Sequence, residues 1–150
     1  MAPDPTNRPG RPAHPRRVAR AQQPIRVLVV DDHGLLRGAI RNLLGDAVDM
    51  EWVGEARDGA EAIDQVVRTH PDVVLMDLSM PGVDGLTATR LISRDHTDVR
   101  VLVLTSFADP IHVSRAFEAG AAGILSKDGD PATIVAGIRS VFGGTAPVGR

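Results

Sequence analysis

Residues 73–86 read VVLMDLSMPGVDGL. Four apolar residues, Val73 to Met76, run without interruption into the carboxylate of Asp77, and Pro81, Gly82 and Gly85 break the chain soon afterwards. An unbroken apolar run bounded by turn residues is the pattern of a strand covered on both faces, as in a parallel sheet between helices. Such a strand carries its last residue out of the core at one edge of the sheet.

The same pattern recurs on either side. Ile25–Val30 and Val99–Thr105 are apolar and β-branched, Glu51–Ala56 reads as a further strand, and Ala122–Leu125 as a short last one. Between them, apolar residues return at helical spacing over Leu35–Leu44, Gly59–Thr69, Leu86–Ser93 and Ile111–Ala119. A last helix over Pro131–Phe142 has Asp130 before it and Gly143-Gly144 beyond it. Five β-then-α units joined by right-handed crossovers predict an α/β fold, a doubly wound (βα)5 parallel sheet with helices on both faces.

Ligands of open α/β sheets sit beyond the carboxyl ends of the strands. Asp31, Asp32 and His33 follow the first strand, Asp77 the third, Thr105-Ser106 the fourth, and Ser126-Lys127 the fifth. Three carboxylates on one edge repel by a few kcal/mol, about 4 per pair at close range and an effective dielectric near 20. They call for a raised pKa or a bound cation. With no cysteine in the chain, an oxygen-rich donor set suits a hard ion, Mg²⁺ foremost. A cation, a hydroxyl and an ammonium around a carboxylate can receive a phosphoryl group, the carboxylate attacking phosphorus to form an acyl phosphate. Lys127 is the single lysine among seventeen basic residues, as a site needing a compact ammonium would retain. Taken singly, each residue has a plainer explanation. Asp31-Asp32 would serve as helix caps, Thr105 as a β-former and Lys127 as a solvated loop charge. His33 reads better as a loop or packing residue than as a ligand.

The motifs VLVVDDH, VVLMDLSMPGVDGL, VLVLTSF and AGAAGILSKD, in that order over about Ile25 to Gly143, resemble the receiver domain of two-component response regulators. DDHGLLRGAI and GILSKDGDPATIVAGIRSVFGG are most similar to the NarL/FixJ subgroup. The resemblance implies a flavodoxin-like fold with strand order 2-1-3-4-5. It implies Asp77 as phosphoacceptor, Thr105 and Lys127 on the phosphoryl oxygens, and Mg²⁺ held by Asp31, Asp32, Asp77 and the carbonyl of Ser79. It implies a sensor histidine kinase as partner, leaves homodimerisation on phosphorylation open, and assigns DNA binding to a C-terminal helix-turn-helix domain outside these residues. One departure is Ile124, where many receivers carry the Tyr or Phe whose ring reports phosphorylation.

Two other classes compete. A Mg²⁺-dependent phosphohydrolase with an Asp nucleophile would carry an acid where Ser79 stands. A phospho-independent interaction module would not need the Asp/Thr/Lys set. The expectation is a signalling switch, stand-alone or part of a transcription regulator, and not a metabolic enzyme.

Composition bounds these readings. At 150 residues and 43% hydrophobic, the chain has enough apolar surface for one core. Five arginines against one aspartate give residues 1–23 a charge of +4, which leaves −6 of the total −2 for residues 24–150. The folded part is therefore a poor nucleic-acid ligand, and no sequence-specific DNA binding is expected from it. Six prolines and almost no apolar residues make residues 1–24 a disordered tail by expectation. Residues 25–143 form the receiver domain and 144–150 a tail or the start of a linker. No membrane contact and a cytoplasmic location are expected.

Overall fold

The computed structural model describes residues 23–80, 82–106 and 109–147. Pro81, Phe107 and all but the last two residues of the expected N-terminal tail lie outside that set.

Five strands alternate with five helices: β1 Ile25–Val30, α1 Gly34–Gly45, β2 Met50–Ala56, α2 Gly59–Thr69, β3 Val73–Asp77, α3 Gly85–Asp95, β4 Arg100–Thr105, α4 Pro110–Glu118, β5 Gly123–Ser126 and α5 Ala132–Phe142. The strands form one parallel sheet in the order β2-β1-β3-β4-β5. Each expected element is present, with ends within two residues of the sequence reading. One shift of a single residue matters: β3 includes Asp77, which pairs with Leu104. The acid is the last residue of the ladder, so its backbone is fixed by the sheet.

Alternation along the central strands divides the core in two. Leu28, Val30, Val74, Met76, Val101, Val103 and Ile124 point to a cluster closed by Ala62 and Val66 of α2, Ala88 and Ile92 of α3 and Ala116 of α4. Val27, Val29, Val73, Leu75, Leu102, Leu104 and Leu125 point to the other face, closed by Ile40 and Leu44 of α1 and Ile134, Ile138 and Val141 of α5. Each fully buried Val, Leu or Ile contributes roughly 1.5–3 kcal/mol of transfer free energy, so the two clusters fix the strand ends from both sides.

Helix starts show which acids are already engaged. Asp58, Asp84 and Asp109 accept from the amides of Glu61, Thr87 and His112 and cap α2, α3 and α4. Asp130 accepts from the Ala132 amide at the start of α5. α1, which directly follows two aspartates, has no cap hydrogen bond from its N-cap side chain, His33, and α5 has none from Pro131. Neither Asp31 nor Asp32 occupies the N-cap; Asp31 Oδ1 accepts from the His33 N–H at 2.8 Å, just before the helix.

The tail expected after Gly143 is held as far as Pro147. Thr145 donates its N–H to the Ser140 carbonyl at 2.8 Å, and the Pro147 carbonyl accepts from Ile124 at 2.9 Å.

Candidate functional site

β1 and β3 are neighbours, so Asp31 and Asp77 leave the sheet side by side. Asp31 is 2% exposed and Asp77 3%, whereas Asp32 is exposed. One ligand atom from each of Asp31, Asp32, His33 and Asp77 can be chosen so that all four lie within 4.8 Å of one another. Thr105 ends β4 and is likewise buried, and its carbonyl accepts from the Lys127 amide at 2.9 Å. Lys127 returns from the end of β5, and its Nζ donates to Asp31 Oδ2 at 2.7 Å and lies 3.1 Å from Asp77 Oδ1. Ser79 donates its N–H to the same Asp77 oxygen at 3.1 Å. The predicted strand ends thus gather at one edge, with Asp31, Asp32 and Asp77 clustered and Lys127 bridging Asp31 and Asp77.

Asp77 Oδ2 is buried and has no hydrogen-bond partner. A buried, unpartnered carboxylate oxygen costs on the order of 1–3 kcal/mol, and more when ionised. Burial above all raises the Asp77 pKa above the ordinary carboxylate value. The Ser79 amide opposes it, Asp31 adds to it by charge repulsion, and Lys127 pulls it back. Burial alone would lower Lys127, but its hydrogen bond to Asp31 and the charges of Asp77 and Asp31 outweigh that and raise it. The ammonium is held charged between two acids, and the second acid retains an oxygen with nothing to bind.

The donor set fits a hard cation. Opposite ligands of an octahedral Mg²⁺ lie about 4.2 Å apart, twice the ~2.1 Å metal–oxygen distance, and the ligand atoms of the four residues, all within 4.8 Å of one another, would have to draw in only slightly to surround one such ion. Asp31, Asp32 and Asp77 ionised beside one ammonium leave an excess of two negative charges, which an ion would offset. The orphaned Oδ2 supplies a free lone pair.

His33 lies in the loop between β1 and α1, one of the two places the sequence reading gave it. It is not a packing residue: its side chain is 72% exposed, and Nδ1 lies 3.1 Å from both Asp31 Oδ1 and Asp32 Oδ1. Its backbone N–H also donates to Asp31 Oδ1 at 2.8 Å.

One residue escaped the sequence reading. Arg37, one turn into α1, donates from Nη1 to the Asp31 carbonyl at 2.7 Å and from Nε to Glu55 on β2 at 3.3 Å. Its side chain is only 12% exposed. It clamps the loop that carries both acids. The one signal in the sequence is an arginine at the fourth helical position, on a face otherwise turned inward.

A parallel sheet ordered 2-1-3-4-5, with buried acids and a lysine at its carboxyl edge, is a flavodoxin-like α/β domain. The family model for the response regulator receiver domain matches residues 27–139, and the chain belongs to that family. It is 46% identical over 120 residues to the response regulator UvrY of Escherichia coli strain K12, covering 80% of this chain and 55% of that protein. It is 43% identical over 120 residues to the transcriptional regulatory protein LiaR of Bacillus subtilis, covering 80% of this chain and 57% of that one. The chain thus spans little more than half the length of these relatives. The receiver domain of the response regulator NarL from Mycobacterium tuberculosis superposes with a TM-score of 0.78 at 35% identity, over 81% of this chain and 98% of that one. The chain is a two-component signalling domain of NarL/FixJ-like type. No helix among the described residues is long and apolar enough to cross a membrane.

Proposed function

We propose that Asp77 accepts a phosphoryl group from a phosphohistidine of a sensor kinase, and that residues 25–143 form the switch this drives. The observation that carries this reading is the unpartnered Oδ2 of a buried Asp77 beside a charged Lys127. In the transfer, a carboxylate oxygen of Asp77 forms a bond to phosphorus as the P–N bond to the kinase imidazole breaks. The imidazole leaves as the neutral ring with a proton from solvent.

Asp31, Asp32, Asp77 and the carbonyl of Ser79 would hold Mg²⁺, which supplies positive charge to the phosphoryl oxygens when bound. The chain's own groups do the rest. Lys127 sits where it can follow the phosphoryl charge, because it already bridges Asp31 and Asp77. The Thr105 hydroxyl, at the neighbouring strand end, would donate to a phosphoryl oxygen. The Ser79 amide orients the acceptor through its bond to Oδ1. Burial keeps water from the acyl phosphate.

The output follows from the relatives. LiaR is a transcriptional regulatory protein nearly twice the matched length. Gene control through a DNA-binding region beyond residue 150, with homodimerisation on phosphorylation, is the corresponding role here, in the cytoplasm. The acidic balance of residues 24–150 favours placing DNA contact elsewhere.

The test is incubation with a small acyl-phosphate donor and Mg²⁺, read by intact mass. One added phosphoryl group, lost in Asp77→Asn and on adding chelator, is expected. No adduct from any donor would overturn the acceptor role and leave an interaction module. Sustained phosphate release from unrelated esters would mark a hydrolase instead.

A further inference from the structure

We propose that His33 is a nitrogen ligand of the cation site, and that it makes the acidic edge prefer a borderline transition ion of the Zn²⁺ class to Mg²⁺. This ligation rests on the cation site proposed for Asp31, Asp32 and Asp77. It adds the one donor of the four-residue cluster that is not an oxygen.

The ring of His33 has turned away from the helix it precedes. It stands at the N-cap position of α1, yet its side chain makes no cap hydrogen bond. It faces the acids instead, with Nδ1 3.1 Å from Asp31 Oδ1 and 3.1 Å from Asp32 Oδ1. The backbone helps to hold it there, because the His33 N–H donates to Asp31 Oδ1 at 2.8 Å. Ligand atoms on one ion at ~2.1 Å lie about 3.0 Å apart when adjacent in an octahedron and about 3.4 Å apart in a tetrahedron. Both nitrogen–oxygen spacings fall between those values. The ring nitrogen thus stands at ligand spacing from two carboxylates, and one atom from each of Asp31, Asp32, His33 and Asp77 fits within 4.8 Å.

The same contacts admit a plainer role, a protonated ring paired with two acids. That role adds little at Asp31 and leaves Asp77 unserved. Asp31 Oδ2 already takes the Lys127 ammonium at 2.7 Å, and Oδ1 takes the His33 N–H. Each of these oxygens keeps a second lone pair for an ion. The buried Asp77 Oδ2 has no partner, and a proton on the His33 ring supplies none. An ion shared by the four residues serves Asp31, Asp32 and Asp77 together. The donors then select the ion. Carboxylates alone suit Mg²⁺, which gives up its waters reluctantly. An added imidazole suits Zn²⁺, Ni²⁺ or Cu²⁺, the ions that bind mixed nitrogen and oxygen sites most tightly. A neutral ring bound through Nδ1 carries its proton on Nε2, and a side chain 72% exposed can leave that group to water.

The experiment compares Zn²⁺ with Mg²⁺ on the full chain by calorimetric titration, and follows the His33 ring nitrogens by NMR as one equivalent of Zn²⁺ is added. Zn²⁺ is expected to bind more tightly than Mg²⁺ by about two orders of magnitude, and the His33 Nδ1 resonance to move to a metal-bound position. His33→Ala, and His33→Phe, which keeps a flat ring without the nitrogen, should each lower Zn²⁺ affinity roughly tenfold and Mg²⁺ affinity less than about twofold. An unmoved Nδ1 resonance with Zn²⁺ bound would overturn the ligation. So would an equal loss for both ions in the variants, which would mark a general disturbance of the acid loop. Tighter binding of either ion in the variants would overturn it as well, identifying the ring as a cation that competes with the metal. Zn²⁺ held through His33 with no Mg²⁺ bound would support the ligation and reject the Mg²⁺ reading. Mg²⁺ bound at least as tightly as Zn²⁺ would keep that reading and reject the preference drawn from His33. Binding of neither ion would reject both.

Discussion

Gly85 lies directly against the backbone of Asp77. A Cβ built on Gly85 would fall inside the Asp77 carbonyl oxygen and 2.7 Å from Leu78 Cα. The start of α3 therefore presses on the acceptor strand at the residue that matters most. Backbone cannot retreat there, because Asp77 is paired with Leu104 and the Gly85 N–H is bonded to the Leu78 carbonyl. Gly85→Ala is expected to destabilise the fold by at least about 1–3 kcal/mol, the usual range for overpacking. It should also slow phosphoryl uptake by displacing Asp77. Urea unfolding and intact-mass time courses check both, and an unchanged unfolding midpoint would contradict the close approach.

The raised pKa of Asp77 has a consequence for stability. Burial and the Asp31 charge favour its protonated form in the folded state. A folded pKa above the unfolded one means the favourable contribution is complete below the unfolded value and is lost as pH rises through the folded value. At neutral pH the ionised acid therefore weakens the fold. Asp77→Asn should raise stability at pH 7, by on the order of 1 kcal/mol. The gain should shrink as pH falls into the acid range and the wild-type carboxyl takes up its proton. Thermal unfolding of both proteins from pH 7 to pH 4 shows this directly; a gain that grows toward low pH would contradict it.

The sheet was legible because its central strands are buried on both faces. Val73–Met76 and Val101–Leu104 admit no polar residue, and that continuity distinguishes them from helix surfaces. The site was legible for a related reason. A core strand can end in a charge only at its rim, so Asp77, Asp31 and Lys127 had to lie at an edge, and parallel strands bring such ends together. Contacts that depend on side-chain reach were not legible. The periodicity of α1 marks Arg37 as an inward-facing position but cannot say that its guanidinium spans from Asp31 to Glu55 on another strand. The contact of the His33 ring with both acids was likewise hidden, because its orientation is set by two neighbouring carboxylates and by no apolar pattern. The docking of Pro147 on Gly123 was hidden because a small residue in a strand signals a close approach without naming the partner.

Arg37 provides a test of how far the acid loop depends on its clamp. Its guanidinium fixes the carbonyl of Asp31 without touching any carboxylate of the cluster. Outer partners of this kind tune metal affinity by roughly 10–100-fold. Arg37→Met keeps most of the aliphatic stem and removes the donors. Mg²⁺ affinity, measured by calorimetric titration, is expected to fall about tenfold, with a stability loss of about 1–3 kcal/mol from the unmet carbonyl. Phosphoryl uptake should recover at high Mg²⁺. Unaltered Mg²⁺ affinity would show that the loop holds its shape without the arginine.

Ile124 is the position at which this chain departs from receivers that carry an aromatic ring, and packing explains why a ring cannot simply be restored. The side chain is fully buried in the cluster with Val103, Ala116 and Ala121, and its backbone is held between Val103 in β4 and the Pro147 carbonyl. Phenylalanine is larger and planar, so it must push α4 outward or leave the pocket. Ile124→Phe is expected to cost about 1–3 kcal/mol in urea unfolding. Leu125 and Ser126, which separate it from Lys127, keep the ring away from the acceptor, so the amount of phosphoryl adduct at Asp77 should match the wild type. A variant as stable as the wild type would mean that the pocket already accommodates a ring, and that this face of the sheet is looser than the burial of Ile124 implies.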